Sequence, residues 1–166
     1  MQKQVRIYAG VTWGLLEPTV ILAAEYHPPP QDRIHLVREL YQEELYPDTF
    51  LAVALAWRKE LGIRRFFCDP GEPELIHRMR RAGLPAVAAP KEQNLARNLI
   101  KQRLANTREG RPGGLTISRE CVHTIPEFLK YHQGRAKQAD GIHGLKALHF
   151  LVLGLSLEAT PRVRWL

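Results

Sequence analysis

VRIYAGVTW at residues 5–13, PTVILAAEY at 18–26 and RIHLVRELY at 33–41 decide the fold, because all three runs are rich in β-branched and aromatic residues. A glycine ends the first run, and the triple proline at 28–30 closes the second, since proline cannot join the interior of a sheet. The third run alternates between apolar and polar residues. Only short loops separate these runs, so the sequence predicts an antiparallel three-stranded meander.

Helices and strands alternate after the meander. Residues 49–61 carry apolar side chains at helical spacing, and Gly62 ends this pattern. Pro47 and Asp48 offer a helix start, with Asp48 as the N-cap. Residues 63–68, IRRFFC, predict a fourth strand.

The second half of the chain continues the alternation. The almost continuously apolar run at 85–89 is typical of a strand that is covered on both faces. The patterns predict helices over 73–82, 91–106, 123–131 and 144–157, and strands over 85–89 and 115–118. We therefore predict an α/β fold with a mixed central sheet flanked by helices, in one domain over 1–157 with a C-terminal tail over 158–166.

Composition supports a single globular domain and an anionic partner. The chain has 166 residues, of which 45% are hydrophobic and 25% charged. Lysine and arginine number 24 against 17 acids, which gives a formal charge of +7. Such an excess favours contact with a polyanion such as DNA, although it is also typical of a solvated basic surface.

Several classes of site are not indicated. The first residues, MQKQVRIYAG, contain no apolar stretch of signal-peptide length, and the run 147–157 is too short to span a bilayer. We therefore expect a cytoplasmic protein without a membrane span, in which Cys68 and Cys121 are buried free thiols. There is no GxxxxGK[ST] motif for ATP, no dinucleotide fingerprint and no serine or cysteine nucleophile paired with a base. The sequence does not indicate an oligomeric state.

The candidate catalytic residues lie in three segments: RIYAGVTWG at 6–14, FFCDPGEPELIHRMRRAGLPA at 66–86 and DGIHGLKALHFLVLG at 140–154. They resemble the three acidic motifs of the nuclease domain in viral (phage) terminase large subunits. In that family the first strand ends in glycine, an apolar residue and aspartate. The middle motif has an aspartate, then glutamate and proline before a helix, and the third has a histidine three positions before an aspartate. The resemblance covers about residues 6 to 154 and implies an RNase H-like fold and a role in DNA packaging.

The resemblance also implies two-metal hydrolysis, in which carboxylates hold two Mg²⁺ or Mn²⁺ ions that activate water and stabilise the leaving oxygen. Asp69 matches the middle aspartate, although Asp-Pro-Gly is also turn chemistry. Thr12 and Lys146 stand at the other two acidic positions, and His143 matches the histidine, although it could equally begin a helix. Asp69 and His143 are thus the candidate metal ligands. Because the three motifs share one site in the family, the resemblance also predicts that Thr12, Asp69 and Lys146 lie together at one end of the central sheet.

The two replacements oppose a normal metal pair. A threonine hydroxyl is a weak neutral ligand, and a lysine repels a cation. Two unit charges about 4 Å apart interact by roughly 4 kcal/mol at an effective dielectric constant of about 20. Glu39, Glu72 and Asp140 could rebuild a site, although Glu72 is interpreted as a first-turn acid and Asp140 as a loop residue.

Basic side chains could bind nucleic acid. On one side of the fold they would suit a phosphate backbone, although each by itself is typical of a solvated face. The candidates are Arg78, Arg80, Arg81, Lys91, Arg97, Lys101 and Lys146, with Arg103, Arg108 and Arg111 nearby. Trp13 and Trp57 are interpreted as core residues and not as stacking platforms.

Three functional hypotheses follow. The preferred one is a degenerate, catalytically inactive relative of the terminase nuclease domain that retains nucleic-acid binding. The second is an active metal-dependent DNA endonuclease with a rearranged acid set. The third is a protein-interaction module of prophage origin that does not touch nucleic acid.

Overall fold

The computed structural model of the chain describes residues 4–14, 16–132 and 142–159. Its strands and helices follow one another in the predicted order. The strands are β1 (Arg6–Thr12), β2 (Thr19–His27), β3 (Arg33–Gln42), β4 (Ile63–Cys68), β5 (Ala86–Ala88) and β6 (Leu115–Ile117). The helices are α1 (Pro47–Leu61), α2 (Pro73–Arg81), α3 (Gln93–Arg108), α4 (Thr124–His132) and α5 (His143–Ala159).

The strands form one mixed sheet in the order β5-β4-β1-β2-β3-β6. β2 is antiparallel to both β1 and β3, which confirms the predicted meander. β4 is parallel to β1 and to β5, and β6 is parallel to β3. β2 therefore runs opposite to the other strands, whose last residues all lie at the same end of the sheet. We call this the carboxyl end, and the opposite end, where these strands start, the amino end.

Helices cover both faces of the sheet, and each face has its own core. On the first, the α5 face, Tyr8, Leu22 and Phe67 pack against residues of α5 and α3. On the second, the α1 face, Val11 and Phe66 pack against α1 and α2. Because neighbouring residues of a strand point to opposite faces, these assignments fix the face of every regular strand residue.

Two glycines allow α5 to lie directly on the sheet. A Cβ atom at Gly10 of β1 would meet the carbonyl oxygen of Ala147, and one at Gly154 of α5 would meet the ring of Phe67. Glu158 near the end of α5 pairs with Arg65 near the start of β4, so α5 runs along β1 in the opposite direction, with its first turns at the carboxyl end. Its apolar residues Leu148, Leu151 and Val152 are buried, as predicted for this run. Within the described ranges, no helix combines the length and the apolar character that a membrane span requires.

Some details differ from the predictions. Asp48 is not the N-cap of α1, because Pro47 occupies the first turn and moves the cap to Tyr46, which makes no side-chain capping bond. Glu72 is not a first-turn acid; it occupies the N-cap position of α2, again without a side-chain bond. α5 continues to Ala159, two residues beyond its predicted end and past the start of the predicted tail.

β5 is also different. It was predicted to be covered on both faces, but it is the edge strand beside β4, and Ala88 is exposed. The prediction was wrong because a short apolar run does not report how far the neighbouring helices reach. By contrast, Cys68 and Cys121 are buried free thiols as predicted. Trp13 and Trp57 are partly buried against the core of the α1 face, also as predicted.

Candidate functional site

Thr12 and Asp69 lie side by side at the carboxyl end of the sheet. Val11 and Cys68 are partners in the parallel register of β1 and β4, so Thr12 and Asp69 occupy the next position. The Asp69 amide donates a hydrogen bond to the Val11 carbonyl at 3.2 Å, which continues the ladder to this point. By strand alternation from Gly10 and Phe67, both side chains belong to the α5 face.

Thr12 offers little to a cation. Its side chain is buried, with 5% of its surface exposed. Its hydroxyl has no hydrogen-bond partner among the described residues. A neutral oxygen in this position provides no charge to hold a divalent ion.

Asp69 forms its own turn. Its Oδ1 accepts a hydrogen bond from the Gly71 amide at 2.8 Å, and its carbonyl accepts one from the Glu72 amide at 3.1 Å. This is the Asx-turn geometry of an Asp-Pro-Gly sequence. Asp69 as a residue is half-buried. Asp69 therefore forms the turn that its Asp-Pro-Gly sequence predicts, and it also stands at the position of the middle aspartate in the resemblance.

Lys146 and His143 lie on the first turn of α5, where the Lys146 amide donates to the Ile142 carbonyl. Gly10 lies beneath Ala147, and two strand residues cover about the length of one helical turn. The first turn of α5 therefore lies over Thr12. The structure thus brings Thr12, Asp69 and the Lys146 backbone to the same end of the sheet, as the three motifs predicted.

His143 is held by several neighbours. Its Nδ1 lies 3.7 Å from Oε2 of Glu17, and its ring centroid lies 6.5 Å from that of Tyr41. The pKa of His143 is below its ordinary value, mainly because burial disfavours the imidazolium. The charge of Lys146 lowers it further, while Glu17 acts in the opposite direction.

The buried acids near this site are engaged in holding helices. Glu39, whose side chain is 2% exposed, accepts bonds from the His123 and Thr124 amides at 2.9 and 2.8 Å, so it caps the start of α4. Glu127 accepts bonds from the Tyr41 hydroxyl at 2.9 Å and the Gly144 amide at 2.8 Å, so it caps the start of α5. Burial raises the pKa of Glu127, and the hydrogen bonds that it accepts only partly offset this effect.

The donor set does not fit a pair of divalent ions. The two ions of a hydrolytic site need several convergent carboxylates, whereas the three motif positions supply one carboxylate, one neutral hydroxyl and one ammonium. In the part of the chain that the structure describes, no three histidine, cysteine or acidic side chains are grouped to hold a metal. Glu72 lies at the start of α2, and Asp140 lies outside the described residues.

The predicted nucleic-acid residues do not form one surface. Arg78, Arg80 and Arg81 belong to α2 on the α1 face, and Arg80 donates through Nε to the Ala86 carbonyl at 2.8 Å, at the amino end. They do not surround Asp69, because α2 leads the chain from the carboxyl end back to the start of β5. The nucleic-acid role of these arginines stays a prediction.

The other basic candidates are on the α5 face. Lys91 is exposed two residues after Ala89, whose amide bonds to the Cys68 carbonyl, so it lies at the carboxyl end near Asp69. Lys101 is exposed on α3, and Arg97 lies 5.6 Å above the ring of Tyr131.

Arg103 is a structural residue. Its guanidinium donates to the Asp32 carbonyl at 2.7 Å and pairs with the Asp32 carboxylate at 3.1 Å. These bonds tie α3 to the turn before β3. Arg103 is therefore not available to a phosphate backbone.

Sequence reasoning missed Glu127 and Tyr41. A signal was present, because Glu127 lies at helical spacing from Thr124 and Tyr131, within the stripe of α4 that faces the core. An acid in such a stripe indicates a buried carboxylate with a specific partner. Its partners come from β3 and α5, which are far apart in sequence.

Comparison with known proteins gives matches in structure alone. No known family model and no curated protein sequence matches the chain. The P22 large terminase nuclease domain has a TM-score of 0.71 at 16% identity, over 92% of this chain and 82% of that one. The nuclease domain of the bacteriophage SPP1 large terminase, solved with bound Mn, has a TM-score of 0.59 at 14% identity, over 87% of this chain and 84% of that one.

A longer large terminase also matches. The large terminase of bacteriophage HK97 has a TM-score of 0.62 at 10% identity, and the match covers 93% of this chain and 40% of that protein. The chain thus spans well under half of that terminase. These similarities show that the chain has the RNase H-like α/β fold of phage large terminase nuclease domains, which confirms the predicted fold.

Proposed function

We propose that this domain is a terminase-nuclease-like fold that has lost two-metal hydrolysis and binds nucleic acid without cutting it. One observation carries the proposal. Thr12 occupies the register position beside Asp69, where a second carboxylate would have to stand to share an ion with it. Its buried hydroxyl cannot supply that charge.

The charge of Lys146 supports the same conclusion. Lys146 lies on the turn of α5 that covers Thr12, and its charge affects the neighbouring His143. With one carboxylate and one ammonium, the three motif positions together carry no net negative charge to attract a cation. The same ammonium would attract a phosphate oxygen.

A rearranged acid set is the competing explanation, and the hydrogen bonds disfavour it. Glu39 and Glu127 are buried acids of the α5 face, and each already accepts bonds from a helix N-terminus. Turning either carboxylate towards a metal would compete with these bonds, and a buried amide that loses its partner costs about 1–3 kcal/mol. These acids are therefore structural.

We propose that nucleic acid binds at the carboxyl end through Lys91 and Lys146. Lys91 lies near Asp69, and Lys146 lies on the turn of α5 above Thr12. Both cations would contact the phosphate backbone, and such contacts position a strand without reading its sequence. We therefore expect little sequence preference. We also expect an affinity that falls steeply with salt concentration.

The experiment is a plasmid-cleavage assay with the unaltered protein in Mg²⁺ and in Mn²⁺. We expect the supercoiled plasmid to remain intact while gel-shift binding to the same DNA is retained at low salt. The matched variant is Asp69→Ala. Metal-dependent nicking that this variant abolishes would overturn the proposal and establish an active endonuclease instead.

A further inference from the structure

A groove of about 870 Å³ lies on the α5 face, between α5 and the edge strand β5. It exists because α5 packs mainly over β1, β2 and β4 and makes at most marginal contact with β5, while α3 follows β5 and packs beside β6. The α5 face of β5 is therefore left open, and Val87, the register partner of Phe67, lines the groove from this face.

The groove has an apolar floor. Tyr8 and Phe67 form its deepest part, with ring centroids 5.8 Å apart and nearly parallel planes. Val87, Pro90 and Leu157 extend this surface towards solvent, and the Leu157 side chain is 61% exposed.

The rim of the groove is basic. Arg6 comes from the start of β1, and Arg64 and Arg65 come from the start of β4. Between the pairs Ile7–Ile63 and Ala9–Phe66 the register shifts, so β4 contains one residue more than β1 in this interval. At such a bulge, strict alternation of side chains is interrupted, and both arginines line the groove.

Little negative charge balances these arginines. Glu158 is the only acid among the described residues that line the groove, and it pairs with Arg65 at 2.9 Å. Arg6 and Arg64 make no ion pair within the described residues. Three arginines therefore face one glutamate.

The arginine rim of the groove lies apart from the candidate site, although the groove extends to Pro90, which precedes Lys91. Arg64 is the second residue of β4, whereas Asp69 follows its last residue, so their backbones are about 16 Å apart at roughly 3.3 Å per residue. The arginines lie at the amino end of the sheet, and the remnant of the metal site lies at the carboxyl end.

We propose that this arginine groove binds the phosphate backbone of a nucleic acid, as a second contact surface at the amino end of the sheet. The inference rests on the proposed binding of nucleic acid but assigns it to other residues. Guanidinium groups donate paired hydrogen bonds to phosphate oxygens, and the apolar floor suits sugars and bases. A single strand and a duplex present the same backbone chemistry.

The test is fluorescence anisotropy with a labelled single-stranded oligonucleotide and with its duplex, each across a salt series. We expect Arg64→Ala/Arg65→Ala to weaken binding roughly tenfold at low salt and to reduce the salt slope by about 1 to 2 units. Lys59→Ala/Arg119→Ala is the matched control, because it removes the same charge from exposed positions outside the groove. This control should change the affinity by roughly twofold at most.

A gain of binding provides a second readout that misfolding cannot imitate. Glu158→Gln removes the acid that offsets the arginines of the groove, so it should strengthen binding severalfold and raise the salt slope. Unchanged binding by Glu158→Gln, together with equal losses in the Arg64/Arg65 variant and its control, would overturn the inference.

The two proposals can fail separately. If Lys91→Ala/Lys146→Ala weakens binding while the groove variants do not, the groove inference falls and the proposed function stands. If the groove variants alone weaken binding, the groove is the contact surface and binding at the carboxyl end falls. Absence of binding by either oligonucleotide at low salt would refute both, and an acidic protein would become the better candidate partner. Binding of only one oligonucleotide form, lost on Arg64→Ala/Arg65→Ala, would support the groove and identify the strand form it takes.

Discussion

The carboxylate of Glu127 accepts a hydrogen bond from the backbone amide of Gly144 at 2.8 Å, so α4 holds the first turn of α5 in place. A side chain at Gly144 would meet Thr124 and Glu127, which shows how closely the two helix starts approach. The same carboxylate accepts a hydrogen bond from the hydroxyl of Tyr41 in β3. One buried acid thus connects two helices and the sheet at the end where Thr12 and Asp69 lie.

Removing this acid should destabilise the domain. We expect Glu127→Ala to lower the free energy of unfolding by about 1–3 kcal/mol, because the buried Gly144 amide and the Tyr41 hydroxyl lose their acceptor. Tyr41→Phe, which removes one donor alone, should cost about 0.5–1.5 kcal/mol. Urea denaturation measures both values. A smaller loss in Glu127→Ala than in Tyr41→Phe would contradict the assigned role.

The raised pKa of Glu127 predicts a pH dependence. Burial raises this pKa above its ordinary value of 4.5, so the folded state holds the proton more tightly than the unfolded state. The resulting stabilisation is complete below pH 4.5 and is lost as the pH rises through the raised pKa. Glu127→Gln cannot titrate, so its free energy of unfolding should fall less over this interval. Parallel pH profiles of the two proteins would rule out the effect.

Restoring both acids should restore metal binding. Thr12→Asp alone is expected to lower the melting temperature, because it places a carboxylate in a buried position without a partner. In Thr12→Asp/Lys146→Asp, Mn²⁺ should bind and raise the melting temperature, since a ligand of the folded state stabilises it. Isothermal titration calorimetry and thermal unfolding measure these effects. Adding Asp69→Asn to the double variant is the control, and undiminished Mn²⁺ affinity there would place the metal elsewhere.

The contact between Gly154 and Phe67 predicts a pair of coupled substitutions. Gly154→Ala should destabilise the domain by about 1–3 kcal/mol, because the added methyl group meets the Phe67 ring. Phe67→Leu in the same chain should recover part of this loss by vacating the space. A double-mutant cycle by thermal unfolding measures the coupling. Strict additivity of the two changes would show that α5 does not rest on this ring.

The effect of Lys146 on His143 can be measured directly. Because the lysine charge lowers the pKa of His143, Lys146→Met should raise that pKa. Lys101→Met, on an exposed turn of α3, is the matched control and should leave it unchanged. An NMR titration of the imidazole signals gives both values. A pKa of His143 that does not move in Lys146→Met would mean that the lysine side chain points away from the site.

The element order and the helices on both faces could be predicted from local patterns. Strand alternation and a left-handed helix end are local properties, so a few neighbouring residues are enough to predict them. Examples are the strands around Tyr8, Leu22 and Phe67 and the end of α1 at Gly62. The convergence of Thr12 and Asp69 was predicted through the family resemblance. The sheet register now places them side by side.

The rest depended on contacts between distant parts of the chain. A local pattern does not show that Glu39 and Glu127 serve helix N-termini contributed by other segments, or that Arg80 bonds to Ala86 on the face opposite α5. It also does not show that α5 stops short of β5. The sequence by itself determined the order and period of the elements, because these follow from neighbouring residues. The tertiary structure alone decided which acids are engaged in capping helices and where the arginine groove opens. Both depend on how helices distant in sequence pack on the sheet.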